Sequence, residues 1–199
     1  RCCHAAASAT VRYVNIFAID ADPEDAACGL HDVHVNKMLV ESCQLLATAH
    51  PSGESPYAIT HANHPCACWT RQSAANYSWL ACYALALSAE RATRWPHRQE
   101  HASTSAALWY ATHVPALAET EPTEFALAVP HELRVAGDAI ASYRAYYVAR
   151  KLLMKRGTVR WTGRRPPPWL YEALARGRGD LRIEARNGRY EVVVGTCGQ

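Results

Sequence analysis

Between His31 and His50, apolar residues recur with a helical period in HDVHVNKMLVESCQLLATAH. At about 100° per residue, His34, Lys37, Glu41, Gln44 and Thr48 fall within roughly 80° of arc. Val35, Met38, Leu39, Leu45, Leu46 and Ala49 line one side of that stripe, and Val33, Val40, Cys43 and Ala47 line the other. A solvated helix face is polar across its whole outer half. Polar residues bracketed by apolar ones therefore point into a pocket or a buried network.

The same reading along the rest of the chain predicts a mainly α fold. VNIFAID (14–20) is a short apolar run, either a strand or a buried extended lead-in. Asp22-Pro23-Glu24-Asp25 is a helix start, with an N-cap, Pro at the first helical position and acids in the first turn. That short helix runs to about Leu30, and Asp32 is placed to cap the main helix, which extends to about His50. After a loop rich in turn formers (51–65), a second long helix starts near Pro65 and continues through WTRQSAANYSWLACYALALSAERA. A third lies around 98–113, and a proline-punctuated crossing segment follows. A fourth, capped by Asp138, carries AGDAIASYRAYYVARKLLMKR, and LYEALARG is a short helix. Asn187-Gly188 between two strand-like runs predicts a β-hairpin. The expected architecture is a compact multi-helix single domain with a short N-terminal extended segment and a C-terminal β-hairpin. By residue, 14–175 form the helical catalytic domain and 176–199 the hairpin tail.

Composition changes this picture little. With 199 residues, 49% of them hydrophobic, the chain is long enough for a substantial core. A net charge of +3 does not diagnose nucleic-acid binding. The eight cysteines do not form a disulfide framework: Cys43, Cys66, Cys68 and Cys82 fall in helical, apolar stretches, where a free thiol behaves as a small hydrophobe. With no signal peptide and no apolar run near the ~18 residues of a membrane span, a cytoplasmic protein without a membrane partner is expected. Residues 1–13, RCCHAAASATVRY, lack periodicity. They are expected to be a non-native upstream extension, with Val14 at a GTG start codon read as Met.

Three constellations could carry chemistry. In the stripe, His34 and Glu41 sit two helical turns apart on one face with Lys37 between them. A carboxylate there can act as general base, and a lysine beside it can act as amine nucleophile or cation. A structural network joining helices would use the same groups. The second constellation, THANHPCACWTRQSAANY (60–77), places His61, Asn63 and His64 before a Pro-started helix, whose N-terminus attracts phosphate or carboxylate. Arg71 and Asn76 lie farther along. His61, His64, Cys66 and Cys68 lack the spacing of common zinc sites, so no metal is assigned, and the letters H-x-N-H lack the strand context of an HNH nuclease. Third, Arg144, Arg150, Lys151, Lys155, Arg156, Arg160, Arg164 and Arg165 interleave with Tyr143, Tyr146, Tyr147, Trp161 and Trp169. Cations among aromatics suit phosphate contact and base stacking; a solvated charged face is the alternative.

N-I-F-x-x-D, then D-x-H-V-x-K-M-x-x-E-S-x-Q-L-L-x-T-A-H, T-H-x-N-H-P-C-x-x-W-x-R-x-S-x-x-N-Y-x-W-L, Y-R-x-Y-Y and W-T-x-R-x-x-P-x-W occur here in order. From about Val14 to Trp169 this resembles a family of small, largely uncharacterised tailed-bacteriophage proteins. A fainter likeness is to the phage pyrimidine-dimer DNA glycosylases of the endonuclease V type, which carry Asp-x-His near the N-terminus and a catalytic Glu seven residues after the His. Asp32, His34 and Glu41 match that spacing. The likeness implies an N-terminal amine that attacks the sugar C1′ while the Glu assists base departure and elimination. Two positions depart from it: Asn15 would follow the initiator where those enzymes have Thr, and Gln44 stands where they have Arg.

The expected function is thus a phage-encoded DNA-processing enzyme, most concretely a base-excision glycosylase/lyase needing no cofactor and using DNA as partner. Glu41, His34 and Lys37 are its catalytic candidates. Gln44, His61, Asn63, His64, Arg71, Asn76, Tyr143 and Arg144 are the substrate-binding ones. The attacking group is Lys37, an N-terminal amine or water. An enzyme acting on a free nucleotide or other small metabolite, or a non-enzymatic phage accessory protein, are the alternatives.

Overall fold

Asp22 opens the first helix as the sequence predicts: its Oδ1 accepts the peptide N–H groups of Glu24 (2.8 Å) and Asp25 (3.1 Å), and Pro23 occupies the first turn. The structure, a computed structural model, describes residues 14–153 and 158–195. The expected extension over 1–13 and the basic residues Lys155 and Arg156 lie outside the described residues. Among these residues the chain forms seven α-helices: α1 (Pro23–Gly29), α2 (Asp32–Ala47), α3 (Pro65–Gln72), α4 (Ala74–Arg94), α5 (Thr104–Thr112), α6 (Ala139–Arg150) and α7 (Pro168–Gly177). Three strands, β1 (Arg160–Thr162), β2 (Leu181–Arg186) and β3 (Arg189–Val194), make an antiparallel sheet in the order β1-β3-β2.

The mainly α architecture with a C-terminal hairpin is what the periodicity predicts, with local differences: the helix expected around 98–113 starts at Thr104, the expected fourth ends at Arg150, and three others concern how elements begin or pair. The long helix expected from Pro65 is two helices. Ser73, extended at φ −150 and ψ 158, breaks it, and its hydroxyl accepts the Asn76 N–H to start α4. His31, not Asp32, is the residue that precedes α2; Asp32 is the first helical residue and its carboxylate is used elsewhere. The hairpin is not alone: β1, from the RWT triplet after α6, pairs with β3 and seats Trp161 in the core, where its indole N–H donates to Gly29 O at 3.0 Å. The hairpin turn is as expected, with Asn187 and Gly188 both at positive φ (48 and 71) in a two-residue loop between Arg186 and Arg189.

The helical body packs α2 against α3, α4 and α5, and α1 against α4. VNIFAID resolves as a buried extended lead-in that joins no sheet. Arg144 of α6 holds its end, donating from Nε to Ile19 O (2.7 Å) and from Nη2 to Asp20 Oδ2 (2.9 Å).

A buried ion network ties the helices to the sheet. Arg94, at the end of α4, donates to Glu90 Oε1 (2.7 Å), Asp32 Oδ1 (3.0 Å) and Cys28 O (3.0 Å). Arg164 forks onto both oxygens of Glu90, at 2.5 and 2.6 Å. Asp32 also accepts the Thr162 N–H (2.9 Å) and hydroxyl (2.7 Å). Asp32 thus ties the start of α2 to β1.

Candidate functional site

Glu41 lies at the margin of the buried face of α2, and both carboxylate oxygens are engaged. Oε1 pairs with Lys37 Nζ at 2.8 Å, one turn away, and Oε2 accepts the peptide N–H of Asn15 at 3.0 Å. Glu41 is buried whereas the Lys37 side chain is about half exposed (51%), so the pair spans the boundary between core and solvent. The stripe read from the sequence follows that boundary. His34, Glu41 and Thr48 are buried, Gln44 is half-buried and Lys37 faces out. One flank expected to be apolar cover is open only at its start, with Val33 exposed and Val40 half-buried but Cys43 and Ala47 buried.

Asn15 is the hub behind the carboxylate. Its Oδ1 accepts the N–H groups of Ile16 (2.8 Å) and Phe17 (3.0 Å), and its Nδ2 donates to Ala128 O (3.0 Å). The tight bend this imposes places Phe17 at φ 40, the left-handed region that aromatic residues rarely occupy. Its ring lies against His34 (4.7 Å, 15°) and Tyr146 (5.9 Å, 24°), with Lys151 Nζ 5.5 Å from it and 4.7 Å from the Tyr146 ring.

His34 continues the stack onto His31, at 4.0 Å between ring centroids. The Tyr147 hydroxyl accepts the His31 peptide N–H (3.0 Å) and lies 3.0 Å from His34 Nδ1. That hydroxyl is best satisfied by donating to Nδ1, which leaves the His34 proton on Nε2. Burial, then the neighbouring His31, Lys151 and Lys37, hold His34 well below the ordinary histidine range. Burial pushes His31 down to about 3, and neither of its ring nitrogens has a hydrogen-bond partner among the described residues. Both rings are neutral at pH 7.

Rings kept neutral in the fold bind protons first in the unfolded chain. Acid therefore favours unfolding from about pH 6.5 downward, with His31 contributing until about pH 3. Each ring adds a slope of up to about 1.4 kcal/mol per pH unit. Urea unfolding between pH 7.5 and 4.5 is expected to show stability falling as pH falls, and His31→Phe, which keeps a stacked ring, to flatten the slope by one ring's share. Equal slopes in the two chains would show that His31 is not held neutral.

On the other side of Asn15 lies a cleft of about 620 Å³ between the crossing segment and α6. Its wall includes Ala128, whose carbonyl Asn15 holds, and Tyr146, which Phe17 backs. His64, Arg134 and Arg150 border it. The His64 Nδ1 accepts the Cys66 N–H at 3.2 Å, so its Nε2 carries the proton, and burial followed by His61 lowers its pKa.

The remaining sequence candidates disperse. Asn76 is buried and fully used, its Nδ2 donating to Trp69 O (2.9 Å) and Thr123 Oγ1 (2.7 Å) and its Oδ1 accepting the Thr123 N–H (3.0 Å). Tyr143 is buried, with its hydroxyl donating to Ala126 O at 2.6 Å. Arg144 clamps the lead-in and stacks on Trp169. Arg71 donates to Ala62 O (2.8 Å), bracing the exposed loop that carries His61 and Asn63. Of that loop, His64 and Pro65 line the cleft, whereas His61 and Asn63 do not. Cys66 is buried while Cys68 is exposed, and no group of three or more His, Cys, Asp and Glu among the described residues could hold a metal ion.

Sequence reasoning missed Phe17, His31 and Arg134 as members of this region; it offered Tyr146 as a stacking aromatic and Asn15 only as the residue after the initiator. The N-I-F motif carries Asn15 and Phe17, but nothing in its spacing shows a backbone bend. No helix among the described residues is long and apolar enough to cross a membrane. Compared with models of protein families, with curated proteins and with solved structures, the chain finds no match.

Proposed function

We propose that the protein is a DNA-processing enzyme of base-excision type, a glycosylase with lyase activity, in which Lys37 forms the imine and Glu41 carries protons. The Lys37–Glu41 pair supports this reading. It sets an amine open to solvent 2.8 Å from a carboxylate that is buried and oriented from behind by the Asn15 N–H. The resemblance in the Asp32, His34 and Glu41 spacing points the same way.

Glu41 takes the proton of the Lys37 ammonium, freeing the lone pair. The amine attacks deoxyribose C1′; the N–C1′ bond forms, the C1′–base bond breaks, and the base leaves with the proton from Glu41. The new secondary ammonium returns a proton to Glu41, and its lone pair then opens the ring, O4′ taking that proton as C1′=N forms. The Glu41 carboxylate next removes a C2′ proton, and the 3′-phosphate leaves by elimination. Lys151, Arg134 and Arg150 would meet the phosphate backbone.

The Asn15 nitrogen supports one variation. In a chain beginning at Asn15 that nitrogen is an α-amine, 3.0 Å from the same carboxylate, and it would replace Lys37 as nucleophile. In the full chain it is a peptide nitrogen and cannot attack.

The test is incubation of the full chain with ultraviolet-irradiated, uracil-containing, abasic and undamaged duplexes, with and without borohydride. A reduced covalent protein–DNA species is expected with at least one damaged duplex and none with undamaged DNA. No adduct and no nicking on any of them overturns the reading.

A further inference from the structure

We infer that the cleft between the crossing segment and α6 binds one unpaired nucleotide of a DNA strand, its base against Tyr146 and its phosphate on Arg134 and Arg150; this rests on the DNA-processing reading above. The volume, about 620 Å³, lies in the range of pockets that enclose a single small ligand and is too small for a duplex. The lining is apolar where a base would lie, with Leu127 and Pro130 in its wall and the half-buried Tyr146 presenting a ring. Phe17 backs that ring and Lys151 sits 4.7 Å from its centre.

The charged rim is arranged for an anion. Arg134 is exposed and fixed by its Nε, which donates to Val129 O at 3.0 Å. Its Nη1 and Nη2 have no partner among the described residues, which leaves the outer edge of the fork for two phosphate oxygens. Among the described residues Arg150 has only a long contact to Glu132 (3.5 Å) between two largely exposed side chains, an interaction a phosphate can displace. His64 is neutral, and its Nε2–H is a donor suited to a base edge or a phosphate ester. Asn15 joins this wall to Glu41 through its bonds to Ala128 O and the carboxylate.

Fluorescence anisotropy of a labelled single-stranded oligothymidylate, undamaged so that no reaction occurs, tests this on the full chain. Tyr146→Ala is expected to weaken binding roughly 10-fold, as loss of one stacked base does, and Tyr146→Phe to stay within about twofold. Arg134→Gln is expected to weaken binding and to reduce the slope of log Kd against log salt by about 0.7, one phosphate of a single strand. Wild-type binding by Tyr146→Ala and Arg134→Gln overturns the assignment, as does equal loss in Tyr146→Ala and Tyr146→Phe. If Tyr146→Ala does not fold, Arg134→Gln, at an exposed position, decides alone. Binding that depends on these residues without any borohydride adduct keeps the cleft and removes the glycosylase reading. An adduct with indifferent binding does the reverse.

Discussion

Glu41→Gln is expected to slow imine formation and strand cleavage by roughly 10²–10⁴-fold, the range for loss of a positioned acid–base group. The amide cannot take the Lys37 proton or return it to the leaving base. Its carbonyl can still accept the Asn15 N–H, so the bend at Asn15 and the cleft wall at Ala128 keep their support. The lost ion pair joins a half-exposed lysine to a carboxylate at the protein margin, and such pairs contribute at most about 1 kcal/mol. Single-turnover cleavage and urea unfolding of the same variant separate the two effects. A large loss of stability with proportionate loss of activity would make the stripe a structural network instead.

The second large effect lies away from the chemistry. Arg94→Met is expected to lower the unfolding free energy by about 3–5 kcal/mol, because it leaves Asp32 and Glu90 buried with one cation fewer. With a denaturant slope of about 2 kcal/mol per molar urea, the midpoint falls by on the order of 2 M. Arg94→Lys is expected to recover only part of this, since an ammonium cannot span Glu90, Asp32 and Cys28 O as the guanidinium does. Adduct formed per folded molecule is expected to remain as in the wild type, because Lys37 and Glu41 do not touch the network. A midpoint shift below about 0.5 M would show that the Arg164 pair with Glu90 and the Thr162 hydrogen bonds to Asp32 suffice to hold the two carboxylates.

Much of the fold was legible because its signals are local. Asp22-Pro23, Asp138 and Asn187-Gly188 act through backbone bonds a few residues away, and α2 and α6 declare themselves by period. The break at Ser73 was hidden because both flanking stretches are good helix formers, and only the serine's extended backbone separates them. β1 was invisible for the opposite reason: three residues carry no period, and RWT becomes a strand only because β3 is there to pair with it. Asp32 illustrates the limit for side chains. It has the composition of a helix cap, yet its partners, Arg94 and Thr162, lie 62 and 130 residues away.

The site divides in the same way. The His34, Lys37 and Glu41 spacing was readable from helical geometry alone. Its completion by the Asn15 peptide nitrogen was not, because a backbone donor has no residue type to recognise. The third constellation shows how composition misleads when burial is unknown. Of its aromatic residues, Tyr143, Tyr147 and Trp161 are core, and only Tyr146 and Trp169 remain partly open. Arg164 and Arg144 are likewise spent on Glu90 and on the lead-in.

The most direct test of the central claim is to map the borohydride-reduced adduct of the full chain by proteolysis and mass spectrometry. The deoxyribose remnant is expected on the peptide carrying Lys37, with none formed by Lys37→Ala. An adduct on Lys151 or another lysine, or undiminished trapping by Lys37→Ala, would contradict the assignment of the Lys37–Glu41 pair as the reactive centre.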